Sequence, residues 1–78
     1  MHNKHSKPQK DALKKLGNAI RLLRIEKSLT QEDLATTSGL DRTYVGGIER
    51  GERNISILNI IKISDALNVS LKDIFKDF

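Results

Sequence analysis

Apolar residues recur at spacings of three and four through Leu13, Leu16, Ile20 and Leu23, with Ala12 and Ala19 alongside. That stripe is one face of an amphipathic helix and predicts a first helix from about Asp11 to Lys27. Gly17 lies inside it at a cost of about 1 kcal/mol relative to Ala. Thr30-Gln31-Glu32-Asp33 opens a second, short helix. Thr30 can accept from the backbone N–H near Asp33, and acidic residues in a first turn complement the positive end of the helix dipole. Leu34 and Ala35 face inward, and Gly39 stops the helix in a left-handed conformation. Asp41 is positioned to cap a third helix that buries Tyr44 or Val45 together with Ile48 and ends at Gly51. Ser56 caps a fourth helix through Leu67, and Ser70 a fifth through about Phe75. No stretch keeps the two-residue alternation of a strand, and no internal repeat occurs. The pattern predicts an all-α chain of five short helices.

Residues 1–9 have no apolar periodicity and contain Pro8, the only proline, so they read as a solvated tail ahead of a single domain over residues 10–78. Leu, Ile, Val and Phe make up 23 of 78 residues, enough to build one small core rather than leave the chain disordered. There is no cysteine, which removes disulfides, thiolate zinc sites and thiol nucleophiles. No apolar run reaches the roughly 18 residues of a membrane span, and the first ten residues lack the apolar centre of a signal peptide, so a cytoplasmic protein without membrane contact is expected. Net charge is +4, carried unevenly: residues 1–24 hold seven Lys and Arg against Asp11 alone, and the remainder is net acidic. Such a basic end suits nucleic acid, an anionic membrane or plain solubility. The Lys4, Lys7, Lys10, Lys14, Lys15 series reads as a solvated face or as an arm lying along phosphates. His2 and His5 have no carboxylate or thiolate partner nearby, so no metal site is expected. No cluster of acid, base and nucleophile has a catalytic spacing, which argues against an enzyme. No cofactor or small-molecule ligand is inferred.

Gln31 to Arg50 carries the candidate chemistry. A short helix with Ala35, a glycine corner at Gly39 and a second helix with Val45 and Ile48 is what two helices crossing through a tight turn require. This helix-turn-helix geometry props the second helix outward, with its first residues available to the major groove. TQEDLA (30–35), SGL (38–40) and IERG (48–51) resemble the Cro/phage-repressor class of helix-turn-helix proteins over about residues 16–75. LDRTYVGGIERGERNIS (40–56), on so short a chain, is most similar to the small controller regulators of restriction–modification systems.

The resemblance implies a bacterial, sequence-specific regulator that binds double-stranded DNA at palindromic operators as a homodimer. It implies a phosphate clamp at Gln31, base contacts from Arg42, Thr43 and Tyr44, and an Arg24–Glu49 salt bridge joining helix one to the recognition helix. It places Arg53 and Asn54 at positions that touch phosphate or reach toward bases; base contact is expected from Arg53, and phosphate contact from Asn54 together with Thr43 and Arg50. The residue chemistry agrees. Arg42 can bond both acceptors of a guanine, Thr43 offers a hydroxyl and a methyl, and Tyr44 can pack its ring while extending its hydroxyl. Gly46 and Gly47 depart from the pattern, since neither offers a side chain to a base; either the backbone approaches DNA there or that stretch does not read sequence. Apolar residues spread over roughly 220° of the fourth helix, where one core needs about 100°. A fifth helix bearing Leu71, Ile74 and Phe75 covers part of the surplus in this reading, and a second copy is expected to cover the rest, with a dimer interface of Ile57, Ile60, Ile61, Leu67, Ile74 and Phe75. The alternatives are an antitoxin, a phage-type repressor, or a protein-interaction module that has lost DNA affinity.

Overall fold

The computed structural model describes residues 7–78, which form five α-helices: α1 (Lys7–Glu26), α2 (Gln31–Ser38), α3 (Arg42–Glu49), α4 (Ile57–Leu67) and α5 (Leu71–Ile74). There is no strand among the described residues. The caps explain the boundaries. Thr30 Oγ1 accepts from the Asp33 N–H and Asp33 Oδ2 accepts from the Thr30 N–H, both at 2.9 Å, a reciprocal box that opens α2. Ser70 and Asp73 repeat it for α5, and Ser56 Oγ accepts from the Asn59 N–H at 3.2 Å to open α4. Gly39 closes α2 at φ 74°, where a side chain would be strained. Asn68 closes α4 in the same left-handed region, at φ 57°, a stop that the sequence reading did not anticipate.

Three expectations are corrected. α1 starts at Lys7, not near Asp11, so residues 7–9 are helical rather than tail. Pro8 sits in the first turn, where N–H groups have no intrahelical acceptor and a fixed φ fits the helix, so it marks a start rather than a break. Residues 1–6, with Lys4, His2 and His5, lie outside the described residues. Asp41 has the extended backbone of an N-cap, but its side chain makes no capping hydrogen bond. The third correction concerns the expected dimer face. Ile60, Leu67 and Ile74 are buried within the protomer itself, packed with Leu16, Ile20, Leu34, Ala35, Val45, Ile48, Ile55 and Ile63. Phe75 is partly buried against that core. The surplus apolar surface of α4 belongs to Ile57, Leu58 and Ile61, which stay exposed.

Around that core, α3 packs between α1 and α2, α4 lies against α2, and α5 closes the far side against α1 and α4. The α1–α3 contact depends on Gly17. A Cβ there would stand 2.2 Å from the Ile48 carbonyl oxygen and 2.8 Å from that of Glu49. The helix interior gives up some propensity so that α1 can rest directly on the last turn of α3. The C-terminus is tied to the same helix: Lys15 Nζ donates to the Asp77 carbonyl at 3.1 Å and lies over the Phe78 ring, which meets Phe75 edge-on. Lys15 therefore separates from the lysine series and belongs to the fold.

Candidate nucleic-acid interface

The first turn of α3 carries the residues expected to face DNA. Arg42 and Thr43 are exposed, next to the half-buried Tyr44, while Val45 and Ile48 anchor the helix beneath them. Leu34 and Ala35 of α2 are buried in the same core as Val45 and Ile48, so α3 is anchored along that side while its first two residues stay exposed. Positioning of that kind is what a major-groove reader needs, because base-edge hydrogen bonds tolerate little play.

Three side chains lock α1, α2 and α3 together at the other end. The Arg24 guanidinium makes a forked contact with Glu49, Nε to Oε2 at 2.6 Å and Nη2 to Oε1 at 3.0 Å, and Nη1 donates to the Leu29 carbonyl at 2.7 Å. Gln31 Nε2 donates to the same Glu49 Oε1 at 3.0 Å. The Glu49 side chain is 2% exposed and that of Arg24 12%, so each ion depends on the other. The Glu49 hydrogen bond holds the Arg24 pKa above the ordinary arginine value against the opposing effect of burial. The expected Arg24–Glu49 bridge is thus formed. Gln31 was expected to clamp a phosphate; its side chain instead has one donor committed to Glu49, leaving a second amide hydrogen and its place at the exposed α2 start.

The loop after α3 completes the surface. Arg50 and Glu52 form an exposed pair at 3.0 Å, of the kind worth little in water and readily exchanged for another anion. Arg53 and Asn54 are exposed. Asn54 borders a shallow groove whose other wall is Gln9, Ala12 and Leu13, so the first turns of α1 run beside this loop. Lys14 packs its stem where a Cβ on Gly51 would point. Lys7, Lys10 and Lys14 take part in no ion pair among the described residues.

The two glycines of α3 have a use that neither sequence expectation covered. A Cβ on Gly47 would stand 2.7 Å from Arg53 Cγ, and one on Gly46 would stand 3.1 Å from Arg50 Nη1 and 3.5 Å from Gln31 Oε1. Bare backbone in mid-helix gives the two arginines a surface to lie across. The Arg53 guanidinium is then 4.9 Å from the centre of the Tyr44 ring, and Asn59 Nδ2 donates to the Tyr44 hydroxyl at 3.1 Å. Asn59 was missed from sequence, since nothing local links it to a tyrosine fifteen positions away. Among the described residues no group of carboxylates and imidazoles is arranged to hold a metal, and no helix is long and apolar enough to cross a membrane.

A cross-braced helix pair, an exposed arginine and threonine at the start of the second helix and a basic loop behind it define a helix-turn-helix DNA-recognition domain. Comparison with known proteins agrees: the family model described as helix-turn-helix matches residues 20–74, and the chain belongs to that family. It is 51% identical over 59 residues to the control protein C.BamHI of Bacillus amyloliquefaciens, covering 74% of this chain and 73% of the relative. It is 45% identical over 64 residues to the control protein C.MunI of a Mycoplasma species, covering 81% and 86%. The crystal structure of the restriction–modification controller protein C.AhdI from Aeromonas hydrophila superposes with TM-score 0.82 at 51% identity, covering 83% of this chain and 98% of that one. The controller C.Esp1396I, solved as a tetramer with its natural 35-base-pair operator, superposes with TM-score 0.77 at 47% identity, covering 82% and 84%.

Proposed function

We propose that this protein is a sequence-specific, double-stranded DNA-binding transcriptional regulator, the controller of a restriction–modification system, acting as a homodimer on paired half-sites. The observation that carries the reading is the placement of Arg42 and Thr43: exposed side chains at the outward end of a helix that the Arg24–Glu49–Gln31 brace and the Val45 and Ile48 anchors hold fixed. The similarity to controller proteins, one of them solved on its operator, supports it.

In this reading Arg42 bonds a guanine edge, Thr43 contacts a base or a phosphate, and the start of α2, Arg50 and Asn54 hold phosphates on either side. Arg53 reaches a base from the loop. Lys7, Lys10 and Lys14 add positive charge beside Asn54, where flanking phosphates would pass. In the same reading the protein works in the cytoplasm, on the nucleoid. The double glycine no longer argues for an interaction module that has lost its DNA surface, because it seats two arginines.

The test is selection of binding sites from randomised duplexes by the full chain, followed by affinity measurements at one salt concentration. Inverted, paired half-sites are expected. Arg42→Ala should lose about 1–3 kcal/mol on the selected site, flatten the preference at one guanine in each half-site, and bind scrambled duplex much as before. Retention of full discrimination by that variant would move base reading away from the start of α3.

A further inference from the structure

Resting on that DNA-binding reading, we propose that Asn59 is a positioning residue for sequence recognition: by fixing the Tyr44 hydroxyl it makes the Tyr44 ring the platform that, with the bare backbone of Gly47, aims the Arg53 guanidinium. Tyr44 then acts as support for a reader.

Three contacts made by different elements converge on this arrangement. Asn59, in the first turn of α4, donates Nδ2 to the Tyr44 hydroxyl at 3.1 Å. Tyr44, in the first turn of α3, places its ring 4.9 Å from the Arg53 guanidinium carbon, within the range of a cation–π contact. Gly47, one turn further along α3, leaves the space that the Arg53 stem fills, with a hypothetical Cβ only 2.7 Å from Cγ. An exposed arginine on a loop normally samples many rotamers, and ordering it on binding costs affinity. Here the stem is confined by the helix and the head by a ring whose own rotation is stopped by Asn59. Preorganisation of this kind favours the partner that matches the held geometry, so it acts on discrimination more than on overall affinity. Asn59 takes an acceptor site of the Tyr44 hydroxyl, so the ring is held while the hydroxyl keeps its own hydrogen as a donor.

The experiment is a double-mutant cycle on the full chain with two readouts. The first needs no DNA: nuclear magnetic resonance of the Arg53 side-chain protons, which the Tyr44 ring current shifts while the guanidinium lies over it. The second is the ratio of affinities for the selected and scrambled duplexes. Asn59→Ala and Tyr44→Phe should each reduce the ring-current shift and lower the ratio by about three- to tenfold, the size of one hydrogen bond. Together they should do no more than either alone, since both remove the same bond. Gly47→Ala improves helix propensity, so it should stay folded, yet it should displace Arg53 and lower the ratio in the same way. An unchanged Arg53 shift in Asn59→Ala, or multiplicative losses in the cycle, overturns the proposal. A wild type with the expected shifts but no discrimination between duplexes overturns the DNA-binding reading on which it rests.

Discussion

Glu49 of α3 is a buried carboxylate on which α1 and α2 both converge. Its carboxylate receives three hydrogen bonds from two helices, and its side chain is shielded almost completely from water. Removing one partner of such a pair strands the other, at a cost of about 3–5 kcal/mol. A domain of this size has a stability of about 4–12 kcal/mol, so Glu49→Ala should remove at least about a quarter of it. Urea denaturation followed by circular dichroism measures this. The joint replacement Arg24→Met with Glu49→Leu should recover much of the loss, because it leaves no buried charge unpaired. It should not recover DNA binding to the same degree, since Gln31 loses its anchor as well.

At the scale of helices, Gly17 inverts the usual expectation for a glycine in mid-helix. Gly17→Ala should gain about 1 kcal/mol of propensity in α1 and lose more by prising that helix off the Ile48 and Glu49 carbonyls. A fall in melting temperature is the expected result; a rise would mean that α1 can slide without cost. The capping boxes make a second prediction. The backbone N–H of Thr30 and then its hydroxyl hold the Asp33 pKa below the ordinary aspartate value, and Ser70 does the same for Asp73, with Lys76 and Lys72 adding to it. A carboxylate whose pKa is depressed by folding stabilises the native state above its unfolded pKa, about 3.9, and that contribution is lost as pH falls through the lower folded value. The α2 and α5 caps should therefore weaken on acidification below about pH 4. Melting temperature measured from pH 6 to pH 2.5 should fall less steeply in the double variant Asp33→Asn, Asp73→Asn than in the wild type.

These elements also mark what a sequence can and cannot say. Thr30, Gly39, Ser56 and Ser70 were legible because a cap is a local matter between a side chain and a backbone group three or four positions away. The α1 start was misread because Pro8 has opposite meanings in the first turn and in the interior of a helix, and only the surrounding chain decides which applies. The candidate site divides the same way. The Arg24–Glu49 bridge and the exposed place of Arg42 and Thr43 at the start of α3 followed from a recognisable motif, whereas the Asn59–Tyr44 contact and the seats on Gly46 and Gly47 depend on how α4 and the loop fold back over α3. The width of the α4 apolar arc was visible; which residues served the protomer's own core and which were surplus was not, since both faces have the same chemistry.

For the whole molecule, those surplus residues are the candidate contact of the proposed homodimer. Ile57, Leu58 and Ile61 occupy a continuous arc of α4 and are 56%, 68% and 38% exposed. Leu58→Asp should abolish a dimer built on that arc and leave the protomer intact, because the residue touches little of its own chain. Equilibrium sedimentation at tens of micromolar, with circular dichroism for the fold, separates the two effects. A variant that stays dimeric would place the contact elsewhere. A face this small also makes the pairing of chains depend on how many are present. Below the dimer dissociation constant, the amount of dimer varies roughly as the square of chain concentration, so halving the protein leaves about a quarter of the dimer able to engage both half-sites. A cell whose content of the protein stood below that constant would hold mostly single chains and an almost empty operator. Occupancy would then climb over a narrow range of further synthesis, so the bare arc on α4 would give the regulator a built-in delay.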